Sequence, residues 1–172
     1  MIGICGGYQI LGESIYDLCH VESKVNQVSG LGLLHITTRF LEDKATFQAQ
    51  AQIHFKNGWM SRLDDSIVSG YEIHSGETQT QSSWLEITHR NGGQVKVPDG
   101  SVSSNGKIWG CYLHGIFAND SFRHAWLESL GWKSDQRTSS QINLFNQSLD
   151  TLADAVEGVL NMELLEKIIW EK

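Results

Sequence analysis

The alternation of apolar and polar residues is sharpest over 46–55. Phe47, Ala49, Ala51, Ile53 and Phe55 take every second position, with Thr46, Gln48, Gln50, Gln52 and His54 between them. A period of two places the first set on one face of a β-strand and the second on the other. Similar runs predict strands at 67–74, 84–89, 94–97 and 107–113. Asn91-Gly92-Gly93, Asp99-Gly100 and Asn105-Gly106 separate them as hairpin-type turns, where positive φ is needed. A strand over 33–38 is expected after the tight Gly30-Leu31-Gly32 turn. Residues 1–4 predict the tail of a buried strand. A helix follows at once and runs to about Tyr16, with Tyr8, Ile10, Leu11 and Ile15 on its apolar side.

The period changes in the last third. Asn119 or Asp120 is placed to cap a helix running to about Leu130. Ile142, Phe145, Leu149, Leu152, Ala153, Val156 and Leu160 advance in steps of three and four, which predicts a second helix over 141–160. Asn161 is placed to cap a last short helix carrying Leu164, Leu165, Ile168 and Ile169. The stretch 133–141 is loop-rich. No repeat, low-complexity segment or linker is visible, so the 172 residues predict one compact unit.

Composition mainly excludes. The chain is 40% hydrophobic and 19% charged, which is globular rather than disordered. Lys plus Arg is 13 and Asp plus Glu is 20, a formal charge of −7. With no basic stripe, that balance argues against phosphate-driven nucleic-acid binding and against an anionic membrane surface. No apolar run reaches the ~18 residues of a spanning helix. The first ten residues have neither the basic nor the apolar region of a signal peptide. Three scattered cysteines (Cys5, Cys19, Cys111) form no disulfide framework, and without a CxxC no metal site is expected. A reducing, cytoplasmic compartment is the natural expectation.

The strongest chemical signal is Gly3-Ile4-Cys5-Gly6-Gly7, the G-x-C-x-G form of a nucleophile elbow. The nucleophile of an elbow sits on a strained strand-to-helix turn, where glycines two residues either side avoid crowding. The following helix aims its first N–H groups at the sulfur and at a developing oxyanion. On pattern alone, a buried small residue is an equal reading of Cys5. A thiol nucleophile needs a base, and seven histidines are available. His35, His54, His89 and His124 read as surface or packed residues. His114 ends a strand-like run and precedes Gly115, which puts it at a strand end, where α/β folds gather their sites.

Four segments in order carry a family resemblance: Gly3 to Gly12, Gly30 to Leu34, Gly70-Tyr71-Glu72-Ile73-His74-Ser75-Gly76, and Gly110-Cys111-Tyr112-Leu113-His114-Gly115-Ile116-Phe117. Together with the tail from Leu152 to Met162 they resemble the class I, triad-type glutamine amidotransferases, and within them the cobyric acid synthase branch. The resemblance implies an α/β fold of flavodoxin-like type, a three-layer sheet with helices on both faces. It implies Cys5 as nucleophile, His114 as base, the Gly6 N–H as half of the oxyanion hole and Gln9 as a substrate-binding residue. Glu72 is a candidate orienting acid, a structural role being an equal reading. Ile116 stands where many triad enzymes carry Glu, a residue the cobyric acid synthase branch also lacks. Ala118 replaces an acidic residue usual in the branch, Cys111 stands where threonine is common, and the 17–23 loop departs from its usual form.

The implied substrate is glutamine, whose ammonia passes to a synthetase domain. There ATP, with magnesium, activates the b, d, e and g carboxylates of a corrinoid in adenosylcobalamin biosynthesis. No cofactor is implied for the 172 residues themselves. Family members are much longer, so residues 1–172 are expected to be a partial amidotransferase domain, incomplete at the N-terminus and lacking the synthetase domain. The alternatives are the amidotransferase subunit that amidates lipid II, a non-catalytic fragment, and, more weakly, a cysteine hydrolase of the α/β-hydrolase type.

Overall fold

A computed structural model describes residues 1–133 and 140–170. It divides into two units, 1–133 and 134–172.

The first unit opens with β1 (Ile2–Ile4), then α1 (Gly6–Leu11). The helix expected to reach Tyr16 stops at Leu11, and Gly12 is extended at φ −74° and ψ −173°. A later segment, 31–34, caps it. The amides of Leu31, Leu33 and Leu34 donate to the carbonyls of Ile10 and Leu11, groups a helix end cannot satisfy itself. The strand expected at 33–38 therefore starts only at Thr37, because Leu33 and Leu34 have their amides engaged on α1.

Next come β2 (Ser14–Tyr16), β3 (Gln27–Ser29) and the long β4 (Thr37–Ile53). The alternation read from the sequence holds: Ala49, Ala51 and Ile53 are buried. A 3₁₀ turn at Gly58–Leu63 leads to β5 (Ile67–Gln79), which runs antiparallel to β4 along most of its length. β6 (Leu85–Arg90) and β7 (Gly93–Asp99) form a hairpin through Asn91 and Gly92, at φ 49° and 80°. The sheet order is β3-β2-β4-β6-β7, with β5 also paired to β4.

A second sheet holds β1, β8 (Ser101–Val102) and β9 (Trp109–Cys111), in the order β1-β9-β8. The turn at Asn105-Gly106 joins β8 to β9 as expected. Asp99-Gly100 is not a hairpin. Gly100 at φ 73° turns the chain out of one sheet into the other, since β7 pairs with β6 and β8 with β9. Only three residues of the run 107–113 form strand, because the next two amides bond a side chain.

After β9, the 3₁₀ turn Ile116–Ala118 leads to α2 (Asp120–Ser129). Asn119 precedes α2, but its side chain does not cap the helix. It bonds the backbone N–H and C=O of Ser69, tying the helix start to β5. The core centres on Trp84, Trp109 and Phe122, all 1% exposed or less, with Trp59 and Phe117 in ring contact. A smaller cluster of Tyr8, Leu11, Leu34, Ile36 and Tyr112 lies under α1. The mixed α/β architecture agrees with the expected fold class.

The second unit contains α3 (Gln141–Glu157) and α4 (Met162–Trp170). The Asn161 side chain accepts the Leu164 N–H at 3.0 Å, the predicted cap. The loop expected over 133–141 lies largely outside the described residues. No described helix is long and apolar enough to cross a membrane.

Candidate active site

Cys5 sits between β1 and α1 at φ 54° and ψ −117°. A non-glycine residue at positive φ is uncommon and costs about 1–3 kcal/mol unless its surroundings hold it there. Several bonds hold Cys5. Its N–H donates to the Cys111 carbonyl at 3.0 Å, and its own carbonyl accepts the Tyr8 and Gln9 amides at 2.9 and 3.1 Å. The elbow predicted from G-x-C-x-G is therefore present. Its two glycines differ in purpose. A Cβ on buried Gly3 would run into the Gly7 carbonyl, whereas one on Gly7 would meet nothing within 4 Å.

β1 and β9 are parallel, with Ile4 opposite Cys111. Both strands therefore release their next residues at the same sheet end, where α/β sites form. Cys5 leaves one strand there, and Tyr112, Leu113 and His114 leave the other. β5 supplies a wall. The Cys5 thiol donates to the Ile73 carbonyl, 3.6 Å from Sγ. Two residues earlier, Tyr71 pairs with His114: the His114 N–H donates to the Tyr71 carbonyl at 2.8 Å and the Tyr71 N–H returns the bond at 3.1 Å. Their rings stack, 4.9 Å apart and 9° from parallel. A Cβ at Gly70 would strike the His114 carbonyl, so glycine there permits the close approach.

The His114 ring nitrogen Nε2 is buried and has no hydrogen-bond partner among the described residues. A buried polar atom left open is rare and calls for an explanation. A nitrogen free to accept a proton is one explanation. Burial holds the His114 imidazole below its ordinary pKa, and His74 acts in the same direction. The ring is thus neutral at neutral pH and able to accept a proton.

Gln9 is 6% exposed, and its Nε2 donates to the Tyr112 hydroxyl at 3.2 Å. That hydroxyl also bonds Thr78, which bonds Thr38, at 2.6 and 2.7 Å. The structure thus places Gln9 in a buried polar chain beneath β5. Gly6 begins α1, and its N–H is among the first amides that lack an intrahelical acceptor. A substituent at Gly6 would meet nothing within 4 Å.

Glu72 is 2% exposed. Arg90 grips both its oxygens, at 2.7 and 2.8 Å, and His74 Nε2 lies 3.5 Å away. Burial alone would raise its carboxyl pKa. Hydrogen bonds from His74 and Arg90, with the Arg90 charge, carry it below the ordinary value. Its oxygens thus face Arg90 and His74, and His74 stacks on Tyr112 at 3.8 Å. His74 Nδ1 donates to the Gly76 carbonyl at 2.7 Å.

Three participants escaped the sequence reading. His74 lay inside a quoted motif but had no periodic signal of its own. Arg90 lies between the strand expected at 84–89 and the Asn91-Gly92-Gly93 turn and carries no signal of its own. Asp99 looked like a turn residue, yet it is buried and accepts backbone amides from Gly100, Tyr112 and Leu113. Burial pushes its carboxyl up to about 6, against the backbone bonds of Tyr112 and Gly100. Among the described residues, one group could gather a metal: His54, Asp64 and Asp65, at the turn joining β4 to β5.

The model of the CobB/CobQ-like glutamine amidotransferase domain matches residues 1–122. Cobyric acid synthase of Chloroflexus aggregans is 40% identical over 171 residues, which are 98% of this chain and 33% of the relative. That of Herpetosiphon aurantiacus is 41% identical over 172 residues, 100% of the chain and 33% of the relative. That of Roseiflexus castenholzii is 40% identical over 159 residues, 91% and 31%. The chain spans about a third of the length of the curated relatives it matches.

Proposed function

Because the chain belongs to the CobB/CobQ-like glutamine amidotransferase domain family, we propose that it splits the side-chain amide of glutamine at Cys5. The ammonia then serves a cobyric acid synthase reaction. One observation carries the reading: Cys5 is held on a strained elbow at the start of a helix, on a strand beside the one that leads to a buried, unpartnered His114 Nε2.

In the first step His114 Nε2 takes the thiol proton, and the sulfur attacks the amide carbon. The tetrahedral oxyanion lies against the Gly6 N–H. Collapse returns the proton to the leaving nitrogen and releases ammonia, leaving a glutamyl thioester. Water, deprotonated by the same imidazole, hydrolyses the thioester to glutamate and restores the thiol. Gln9 supports the pocket that holds the glutamine chain.

The name borne by the relatives suggests the destination of the ammonia. In this reading it amidates the b, d, e and g carboxylates of a corrinoid, in the cytoplasm. ATP and magnesium serve that activation step. The Cys5 site does not suit magnesium, since Glu72 is engaged by Arg90 and Asp99 by backbone amides.

The test is labelling with a glutamine-like chloroketone followed by peptide mass analysis. A single adduct on Cys5, prevented by excess glutamine, is expected. An unlabelled Cys5 in the folded protein refutes the assignment. Glutamine-dependent amidation of the corrinoid a,c-diamide with ATP and magnesium, by a synthase carrying this domain and the synthetase domain, tests the destination separately.

A further inference from the structure

We propose that Asp99 is a positioning residue for His114: its buried carboxylate fixes the peptide that carries the base by accepting the Tyr112 and Leu113 amides. The proposal rests on the reading of His114 as the base.

Asp99 closes β7 and is 5% exposed. One oxygen accepts the Gly100 N–H at 2.6 Å and the Tyr112 N–H at 3.1 Å. The other accepts the Tyr112 N–H at 3.1 Å and the Leu113 N–H at 3.3 Å. β9 ends at Cys111 for this reason. Its next two amides meet a side chain rather than a strand. His114 then rejoins a sheet through its backbone pair with Tyr71. Asp99 thus holds the Tyr112 and Leu113 amides and Tyr71 holds the His114 backbone, while the Cys111 thiol on the Leu113 carbonyl and the Tyr112 hydroxyl on Gln9 and Thr78 leave those two amides to Asp99.

Negative charge suits this task. Three peptide donors converge on two oxygens, and each oxygen must accept. An amide in the same place offers one acceptor and one donor, and the donor would face a peptide N–H. Tyr8 from α1, Cys111 and Tyr112 from β9 and its continuation, and Glu72 and His74 from β5 are the titratable groups whose fields reach Asp99. Among the bonds of the described residues, none joins Asp99 to Arg or Lys, so the peptide amides, with the field of His74, are what stabilise its charge.

The experiment compares Asp99→Asn with His114→Asn in steady-state glutamine hydrolysis, with thermal unfolding as a control. For Asp99→Asn the expected result is a fall in kcat of ~10- to 100-fold, as for a misplacement of about 1 Å, with KM for glutamine changed less than about threefold. Unchanged kcat per folded molecule, whatever the loss in Tm, overturns the proposal. His114→Asn at wild-type turnover overturns the base reading itself, which separates the two failures. If Asp99→Asn does not fold, NMR of the unsubstituted protein decides. The Asp99 carboxyl carbon, the Tyr112 and Leu113 amides and the His114 ring are followed through an acid titration. A shared inflection is expected at the Asp99 transition. A His114 ring without that inflection overturns the proposal.

Discussion

Gly3→Ala isolates the packing that makes the elbow. The added Cβ would lie 2.5 Å from the Gly7 carbonyl carbon, nearer still to its oxygen, and 2.7 Å from Leu11 Cδ1. Leu11 can turn away, but the Gly7 carbonyl is helix backbone and cannot. Restoring an ordinary contact of 3.4 Å to the nearest atom, the Gly7 oxygen, needs β1 and α1 to part by about 1 Å. Overpacking of this kind costs ~1–3 kcal/mol. For a chain of this size that lowers Tm by roughly 2–12 °C. The same displacement carries Cys5 with it, and about 1 Å at a reacting atom can cost ~10²-fold in rate. Gly7→Ala is the control. Its Cβ meets nothing within 4 Å, and alanine raises helix propensity by up to ~1 kcal/mol over glycine. Thermal unfolding of both variants, with chloroketone labelling rates at Cys5, gives the answer. Equal loss of Tm in the two, or wild-type labelling in Gly3→Ala, refutes the reasoning.

In a synthase that carries this domain together with the synthetase domain, Cys5→Ala and Cys5→Ser should abolish glutamine-dependent turnover, and His114→Ala should reduce it by ~10³-fold or more, while ammonia-dependent amidation survives all three. Wild-type glutamine turnover in any of them removes that residue from the mechanism. Because His114 is held below its ordinary pKa, the acid limb of kcat/KM should fall below about 6.5, measured as ammonia release against pH. Its contribution to stability has the matching sign: present above the unfolded value and lost as pH falls through the folded one. Arg90→Met should destabilise by ~3 kcal/mol, because it leaves Glu72 charged and 2% exposed, whereas Glu72→Gln should cost less, since Arg90 is partly exposed and can turn to water. Denaturant midpoints of the single and double variants check this, and equal costs would count against it.

Local chemistry was legible where one segment specifies its own structure. The period of two over 46–55 gave β4, because alternate residues there face core and solvent. The glycine spacing gave the elbow, and Asn91-Gly92 gave a hairpin. What the sequence hid depends on distant partners. α1 ends at Leu11 because Leu31, Leu33 and Leu34 donate to its last carbonyls; Gly12 stands at the C-cap, but those partners come from a segment well downstream. Asn119 looked like a helix cap, but the β5 backbone outcompetes the helix for its side chain. Asp99-Gly100 has the composition of a hairpin turn. Its function as a corner between sheets is set by which strands pair.

Cys5 and His114 themselves do little to hold the site together. What fixes His114 relative to Cys5 is the register of β9 on β1, and that register is held from three sides. A Cβ at Gly110 would strike both the Gly3 carbonyl, at 2.6 Å, and the Tyr8 ring, so only glycine lets β9 lie there. Trp84, fully buried, donates its indole N–H to the Gly110 carbonyl at 3.1 Å. Asp99 takes the Tyr112 and Leu113 amides. A slip of one residue along β9 would break all three at once and turn Cys111 away from the Cys5 N–H. The elbow strain at Cys5 is therefore borne by buried packing in the first unit rather than by the thiol. Cys5 and His114 can accordingly be replaced with little loss of fold, while changes at Gly3, Gly110 or Trp84, which touch no reacting atom, should disable the site by moving it.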